Sequence, residues 1–241
     1  MLTEQRKLEI KDNYNRVLEN IENAKAKRGG NAPVRLLAAT KTVPAEEILY
    51  AAELGLRYAG ENRTAELLEK YEDIKDRLIL HHIGTLQTRK VKDIVGKVQM
   101  IESVDSLKLA SEIDKRSAAA GVVTDILCEV NIGREEAKGG VMPEDVSEFL
   151  AQLEEFENIR TCGIMTMAPI CEKEAEYRNF FAETYQIFEN FIDISTKKSD
   201  NIIEHTLSMG MSDSYVPAIL EGATQVRVGS SIFGRRFYPD K

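Results

Sequence analysis

The sequence predicts an α/β protein built as one closed (β/α)8 barrel, the TIM-barrel architecture, with an extra helix at the N-terminal end. Three observations carry that prediction. Eight short runs rich in β-branched and aliphatic residues alternate with longer segments of helical period, the pattern of repeated βα units around a parallel sheet. No Pro/Gly/Ser-rich linker or low-complexity tract interrupts the alternation, so residues 1–241 read as a single domain. The length of 241 residues lies where one α/β barrel uses up a whole chain. The alternative is an open doubly wound sheet; the count favours the barrel, because eight is the number at which such a parallel sheet closes.

In chain order, residues 3–28 form an amphipathic helix: Tyr14, Val17, Leu18 and Ile21 recur at helical spacing among charges, and Gly29 and Gly30 stop the pattern. The strands are "VRLLAAT" (34–40), "RYAG" (57–60), "LILHHIG" (78–84), "QMIESV" (99–104), "DILCEVN" (125–131), "IRTCGIMTM" (159–167), "IIEHTLSM" (202–209) and "QVRVGSS" (225–231). Helical segments fill the seven gaps between them. Pro44 with Glu46 and Glu47, and Pro143 with Glu144 and Asp145, place a proline and acids in a first turn, where free N–H groups and the helix dipole favour them.

Composition removes several classes of function. A formal charge of −8 disfavours non-specific attraction to nucleic acid or anionic lipid, although a local basic pocket can still take a small phosphate. No apolar run approaches the roughly 20 residues that span a bilayer, and "MLTEQRKLEI" lacks the apolar core of a secretory signal, so the protein is expected in the cytoplasm. Cys128, Cys162 and Cys171 are odd in number and contain no CxxC pair, which fits a reducing compartment and argues against a disulfide framework or zinc knuckle.

Functional residues of a parallel barrel gather at the C-terminal ends of its strands, with phosphates commonly held after strands seven and eight. "LSMGMSD" and "RVGSS" stand at those two ends and offer hydroxyls and close-approach glycines, which makes Ser208, Gly229 and Ser230 candidates for a phosphate, against the plainer reading of tight turns. "GSSIFG" is no P-loop, since Arg235 and Arg236 stand where its lysine and hydroxyl belong. By strand alternation Arg227 shares a face with Gly229, and Lys41 shares one with Leu37 and the small Ala39. An inward lysine loses hydration, which lowers its pKa and frees the amine to attack a carbonyl. Opposite a phosphate cradle, such a lysine suits an aldehyde-bearing phosphate, and pyridoxal 5'-phosphate (PLP) fits that description; a snorkelling lysine is the alternative.

Other constellations are weaker. His81 and His82 are adjacent, so on a strand they point to opposite faces and cannot chelate one metal together, and no metal site is expected. His205 reads as a satisfied imidazole, and Glu129 and Glu204 as strand acids more readily than as a glycosidase pair. Met165, Met167, Met209 and Met211 read first as packing around strand ends.

Taken together, "TKT" (40–42), "GEN" (60–62), "HHIGTLQTRK" (81–90), "EVNIGREEAKGG" (129–140), "GIMTMAP" (163–169), "LSMGMSD" (207–213) and "VRVGSSIFG" (226–234) resemble, in order and over nearly the whole chain, the YggS/PROSC family of pyridoxal phosphate homeostasis proteins. The resemblance implies a barrel of the alanine racemase N-terminal type, with PLP as a Schiff base on Lys41. It places phosphate contacts on Ser208, Gly229 and Ser230, an arginine near the pyridine nitrogen at Arg227, and Asn62, His81, Met165 and Met209 around the ring or the barrel mouth. One departure is visible: the tryptophan often preceding the family's histidine in strand three is Leu80 here.

A positive neighbour disfavours protonating the pyridine nitrogen and weakens the ring as an electron sink. Racemisation also needs an acid/base on the far side of the substrate, which alanine racemase-like enzymes take from a second domain and a partner subunit, and the chain is expected to hold no such domain. The resemblance therefore implies a monomeric PLP carrier that supplies apo-enzymes and has no catalytic residues. A small PLP-dependent amino-acid racemase is the rival, and a sugar-phosphate enzyme with Lys41 bonded to its substrate is a third reading.

Overall fold

The computed structural model describes residues 2–30, 32–196 and 205–234. Helix α1 (Glu4–Arg28) is capped by the Thr3 hydroxyl, which accepts the Arg6 N–H, and ends at Gly29. Its buried residues, Ile10, Tyr14, Val17, Ile21 and Ala24, form one apolar stripe, so the helix lies on the barrel as expected.

The strands are β1 (Arg35–Ala39), β2 (Tyr58–Glu61), β3 (Ile79–His82), β4 (Met100–Val104), β5 (Thr124–Val130), β6 (Ile159–Thr166), β7 (Thr206–Ser208) and β8 (Gln225–Val228). They form a closed barrel in sequence order, and β8 pairs in parallel with β1. Between successive strands lie α2 (Ala45–Glu53), α3 (Thr64–Ile74), α4 (Val91–Ile94), α5 (Leu107–Ala120), α6 (Val146–Leu153), α7 (Glu174–Thr196) and α8 (Tyr215–Leu220), and α9 (Ser230–Phe233) follows β8. Among the described residues no helix is long and apolar enough to cross a membrane.

Strand alternation makes two cores. Outward-facing Ala38, Ala59, Ile101, Ile126, Ile164, Leu207 and Val226 pack with the helices in one continuous layer, where each fully buried aliphatic side chain contributes about 1.5–3 kcal/mol. Inside the barrel, Met100, Leu127, Cys162 and Met165 form a small apolar plug. Helix α1 closes one side by packing on α8 and α9, fixed by Asn20 donating to the Tyr215 hydroxyl (2.8 Å) and Asn13 donating to the Ile232 carbonyl (3.1 Å).

The strands are mostly shorter than the sequence predicts, for local reasons. β1 stops at Ala39 because the Thr40 carbonyl accepts the Val43 N–H (3.0 Å) and the chain turns; Lys41 therefore sits in a turn, and the expectation of a strand lysine is corrected. Ser230 and Ser231 open α9, whose Phe233 N–H returns to the Gly229 carbonyl (3.0 Å), so they are not the end of an eighth strand. The seventh strand covers only Thr206–Ser208, and 202–204 of the expected run lie outside the described residues.

One irregularity was not legible. The β5–β6 register moves from Ile126 opposite Thr161 to Leu127 opposite Gly163, so Cys162 is an extra residue in a bulge. Gly163 has φ 149°, and a Cβ there would lie 1.9 Å from the Thr206 carbonyl oxygen. Gly163→Ala is expected to cost about 3 kcal/mol or more, because the obstacle is sheet backbone that cannot rotate away. Urea unfolding checks this, with a loss below 1 kcal/mol contradicting it.

Candidate functional site at the barrel mouth

At the C-terminal ends of β1, β2 and β8 a cavity of about 220 Å³ opens to solvent. Lys41, half-buried, reaches it from the turn after β1, Asn62 from the end of β2, and Arg227, Gly229 and Ser230 from the β8–α9 junction. Ile83, Met167 and Met211 supply apolar wall, and Ser212 and Asp213 come from the loop after β7.

The loop after β7 meets the β8–α9 junction through Ser212. Its hydroxyl oxygen accepts the N–H groups of Gly229 (3.2 Å) and Ser231 (3.3 Å). Ser212 thus ties the two segments together at the edge of a cavity that also holds a lysine and an arginine.

Beneath the cavity lies a polar network sealed inside the barrel. Glu102 on β4 is fully buried; its carboxylate meets His81 Nδ1 (2.6 Å) and accepts Gln225 Nε2 (2.7 Å) on one oxygen and the Ser208 hydroxyl (2.7 Å) on the other. Burial pushes this carboxyl up, but the His81 contact and charge, the Arg227 charge and the Ser208 bond together hold it below the usual carboxylate range. Ser208 in turn accepts Arg227 Nη1 (2.7 Å) and Gln225 Nε2 (3.0 Å), and Arg227 Nη2 donates to the Thr166 carbonyl (2.8 Å). Burial pulls the Arg227 guanidinium down from its ordinary value, while Glu102 and Glu129 support its charge.

The expected site residues thus divide. Lys41, Asn62, Arg227, Gly229 and Ser230 line one cavity; His81, Met165, Ser208 and Met209 do not. His81 holds Glu102 in the interior, and Met165 belongs to the apolar plug below. Met209 follows an inward residue and so points outward, into the layer beneath the helices. Ser208 lies outside this cavity: the residue is 0% exposed, and its hydroxyl makes one donated and two accepted bonds. The hydroxyl that reaches the Gly229 N–H belongs to Ser212, four residues further on, which strand alternation could not single out because it lies in the loop. Glu102 and Gln225, which bond the Ser208 hydroxyl that Arg227 donates to, also escaped notice, since a strand acid and a strand amide carry no motif.

Of the weaker candidates, His82 faces outward, is 1% exposed, and is pulled down to about 4 by burial. His205 stacks edge-on against Phe191 at 5.3 Å, and Glu204 lies outside the described residues. Among the described residues no group of three or more His, Cys, Asp or Glu side chains could hold a metal ion.

The barrel with its mouth cavity defines the class of protein: the family model described as alanine racemase, N-terminal domain, matches residues 13–236. The barrel also superposes on alanine racemase of Clostridium difficile with a TM-score of 0.73 at 19% identity, covering 95% of this chain and 60% of that one, a likeness of fold. The chain is 43% identical over 230 residues to the pyridoxal phosphate homeostasis protein of Aquifex aeolicus, covering 94% of this chain and 98% of that one. It belongs to the pyridoxal phosphate homeostasis protein family. A solved structure of PipY from Synechococcus elongatus with PLP bound is 31% identical, with a TM-score of 0.75 over 89% of this chain and all of that one.

Glu129, on β5, generates a pH prediction. It is 6% exposed, and burial, with Asp105 adding and Arg227 opposing, pushes its carboxyl up to about 7 from an ordinary 4.5. The unfolded chain gives up this proton first, so the contribution to stability falls as pH rises from about 4.5 to about 7 and is constant above. Glu129→Gln abolishes that loss: in denaturant unfolding of the apo protein it should be about 2–3 kcal/mol more stable than the parent at pH 8 and nearly equal below pH 4. A variant that is no more stable at pH 8 than the parent contradicts the assignment.

Proposed function

We propose that this protein binds pyridoxal 5'-phosphate covalently on Lys41 and serves intracellular PLP homeostasis as a carrier, without turning over a substrate. The observation that carries the reading is the convergence of an amine, the Gly229–Ser230 start of α9 and a buried guanidinium on one cavity. Each matches one part of the ligand: aldehyde, phosphate and ring nitrogen. When bound, the cofactor supplies an aldehyde that condenses with the Lys41 amine to a C=N bond, releasing one water. Such a bond is reversible by hydrolysis or by exchange with another amine, which suits storage and delivery.

The chain's residues support the parts as follows. Gly229, Ser230 and Ser212, which line the cavity where β8 meets α9, would hold the phosphate. Asn62 lines the wall of the same cavity. Arg227, fixed by Ser208 and the Thr166 carbonyl, would place positive charge beside the ring nitrogen of the bound cofactor and disfavour its protonation. That weakens the electron withdrawal on which carbanion chemistry depends, and it favours the carrier over an amino-acid racemase. The similarity to PipY with PLP bound and to relatives named for PLP homeostasis supports the same reading. We further propose a cytoplasmic monomer that gives up PLP to apo-enzymes.

Loading with PLP, borohydride reduction and peptide mapping should place the pyridoxyl adduct on Lys41, and Lys41→Ala should lose it. An adduct confined to other lysines contradicts the assignment. With a panel of L-amino acids the loaded protein should convert enantiomers no faster than free PLP; steady conversion well above that rate would establish the racemase instead.

A further inference from the structure

Lys41 and Thr42 are the central residues of a β-turn closed by the Val43 N–H on the Thr40 carbonyl (3.0 Å). Thr42 has φ 63°, a left-handed conformation that a β-branched residue adopts only under constraint. The constraint comes from α3. Glu66 Oε2 accepts the Thr42 N–H at 2.7 Å, and Lys70 Nζ donates to the Thr40 carbonyl at 2.9 Å. Glu66 and Lys70 are four residues apart and so lie on the same face of that helix. They grip the peptide groups on the two sides of Lys41.

The Lys70 end of the grip is itself fixed. Lys70, 8% exposed, also donates to Glu61 Oε1 at 2.8 Å, and the Thr40 hydroxyl donates to the same oxygen at 2.7 Å. Burial pushes the Glu61 carboxyl up, and Lys70 opposes that shift. An ion pair removed from water is justified by what it holds in place, and here it holds the carbonyl that precedes Lys41. The same segment continues through Asn62, on the cavity wall, into α3, so turn, wall and helix form one unit.

We infer that α3 is a clamp that presets the Lys41 turn for its ligand, with Glu66 and Lys70 as positioning residues and Glu61 as the anchor of Lys70. The clamp rests on the reading of Lys41 as the PLP-bearing residue. Its function is to absorb the strain at Thr42 before binding, so that the amine enters the cavity from a fixed backbone and its ordering is already complete when the ligand arrives.

The test compares Glu66→Ala with Glu69→Ala, an exposed position on the same helix, and with the double variant Lys70→Met/Glu61→Gln, which avoids leaving a buried charge unpaired. Two quantities are read: the PLP dissociation constant and, in the apo protein, amide hydrogen exchange at Thr42 and Val43. Loss of a hydrogen bond to a charged partner is expected to weaken PLP binding about fivefold in Glu66→Ala and to speed exchange at Thr42 by a similar factor, with Glu69→Ala unchanged. The double variant should weaken binding and speed exchange at Val43. Thr42→Gly, which takes a positive φ without strain, should recover most of the affinity in the Glu66→Ala background, a rescue that a general loss of stability would not permit. Parental affinity and parental exchange in both Glu66→Ala and the double variant would overturn the clamp, as would an equal loss in Glu69→Ala. If the parent protein takes up no PLP, the cofactor reading fails, and the exchange rates alone decide the clamp.

Discussion

A carboxylate cut off from water must be satisfied from within the fold, and Glu102 imposes that condition on this barrel. Its partners come from three other strands: His81 from β3, Ser208 from β7 and Gln225 from β8. Meeting the demand of one buried charge therefore ties both sides of the closed sheet across its interior. The ties also decide the chemistry at the mouth, because the Ser208 hydroxyl that donates to Glu102 is the one that accepts from Arg227. An arginine placed in this way has no choice of rotamer, and its charge faces the cavity from a fixed point.

A second buried charge cluster works on the other side of the sheet. Lys70, Glu61 and Thr40 lie between the barrel wall and α3, and they hold the turn from which Lys41 projects. The two clusters share no residue, yet they set the two cations that line one cavity. Replacing either by well-packed apolar residues of similar volume need not cost stability, since desolvation offsets much of the attraction within buried pairs. What they contribute is geometry. The apolar layers hold the barrel together, and the buried polar groups determine what its mouth presents.

Legibility in the sequence followed the same division. Period-2 strands and period-3.6 helices are written locally, so eight strands, seven intervening helices and the leading amphipathic helix could be read from residue patterns. Lys41, Asn62, Arg227, Gly229 and Ser230 were legible because each stands at or next to a strand end, where barrel chemistry gathers. The burial of Ser208 could not be read locally, because a hydroxyl near the end of a strand can point into a sealed interior as readily as into a loop, and Gln225 and Glu102, which bond to it, are 17 and 106 residues distant. Ser212 was overlooked because the alternation that sorts strand residues says nothing about a loop. The bulge at Cys162 and the left-handed Thr42 were hidden for a related reason: both are imposed by tertiary contacts, with no glycine at the strained position of the turn to announce it.

The proposed arrangement has Lys41 bonded to PLP, with the phosphate at the Gly229–Ser230 start of α9 and Arg227 at the ring nitrogen. A crystal structure of the PLP-loaded, borohydride-reduced protein tests it most directly. Continuous density from Lys41 Nζ into the ring, phosphate oxygens within hydrogen-bonding distance of Gly229, Ser230 or Ser212, and the Ser208–Glu102 bond intact are the predicted result. A phosphate bound at Ser208 with that bond broken, or a ring attached to any other lysine, would contradict it.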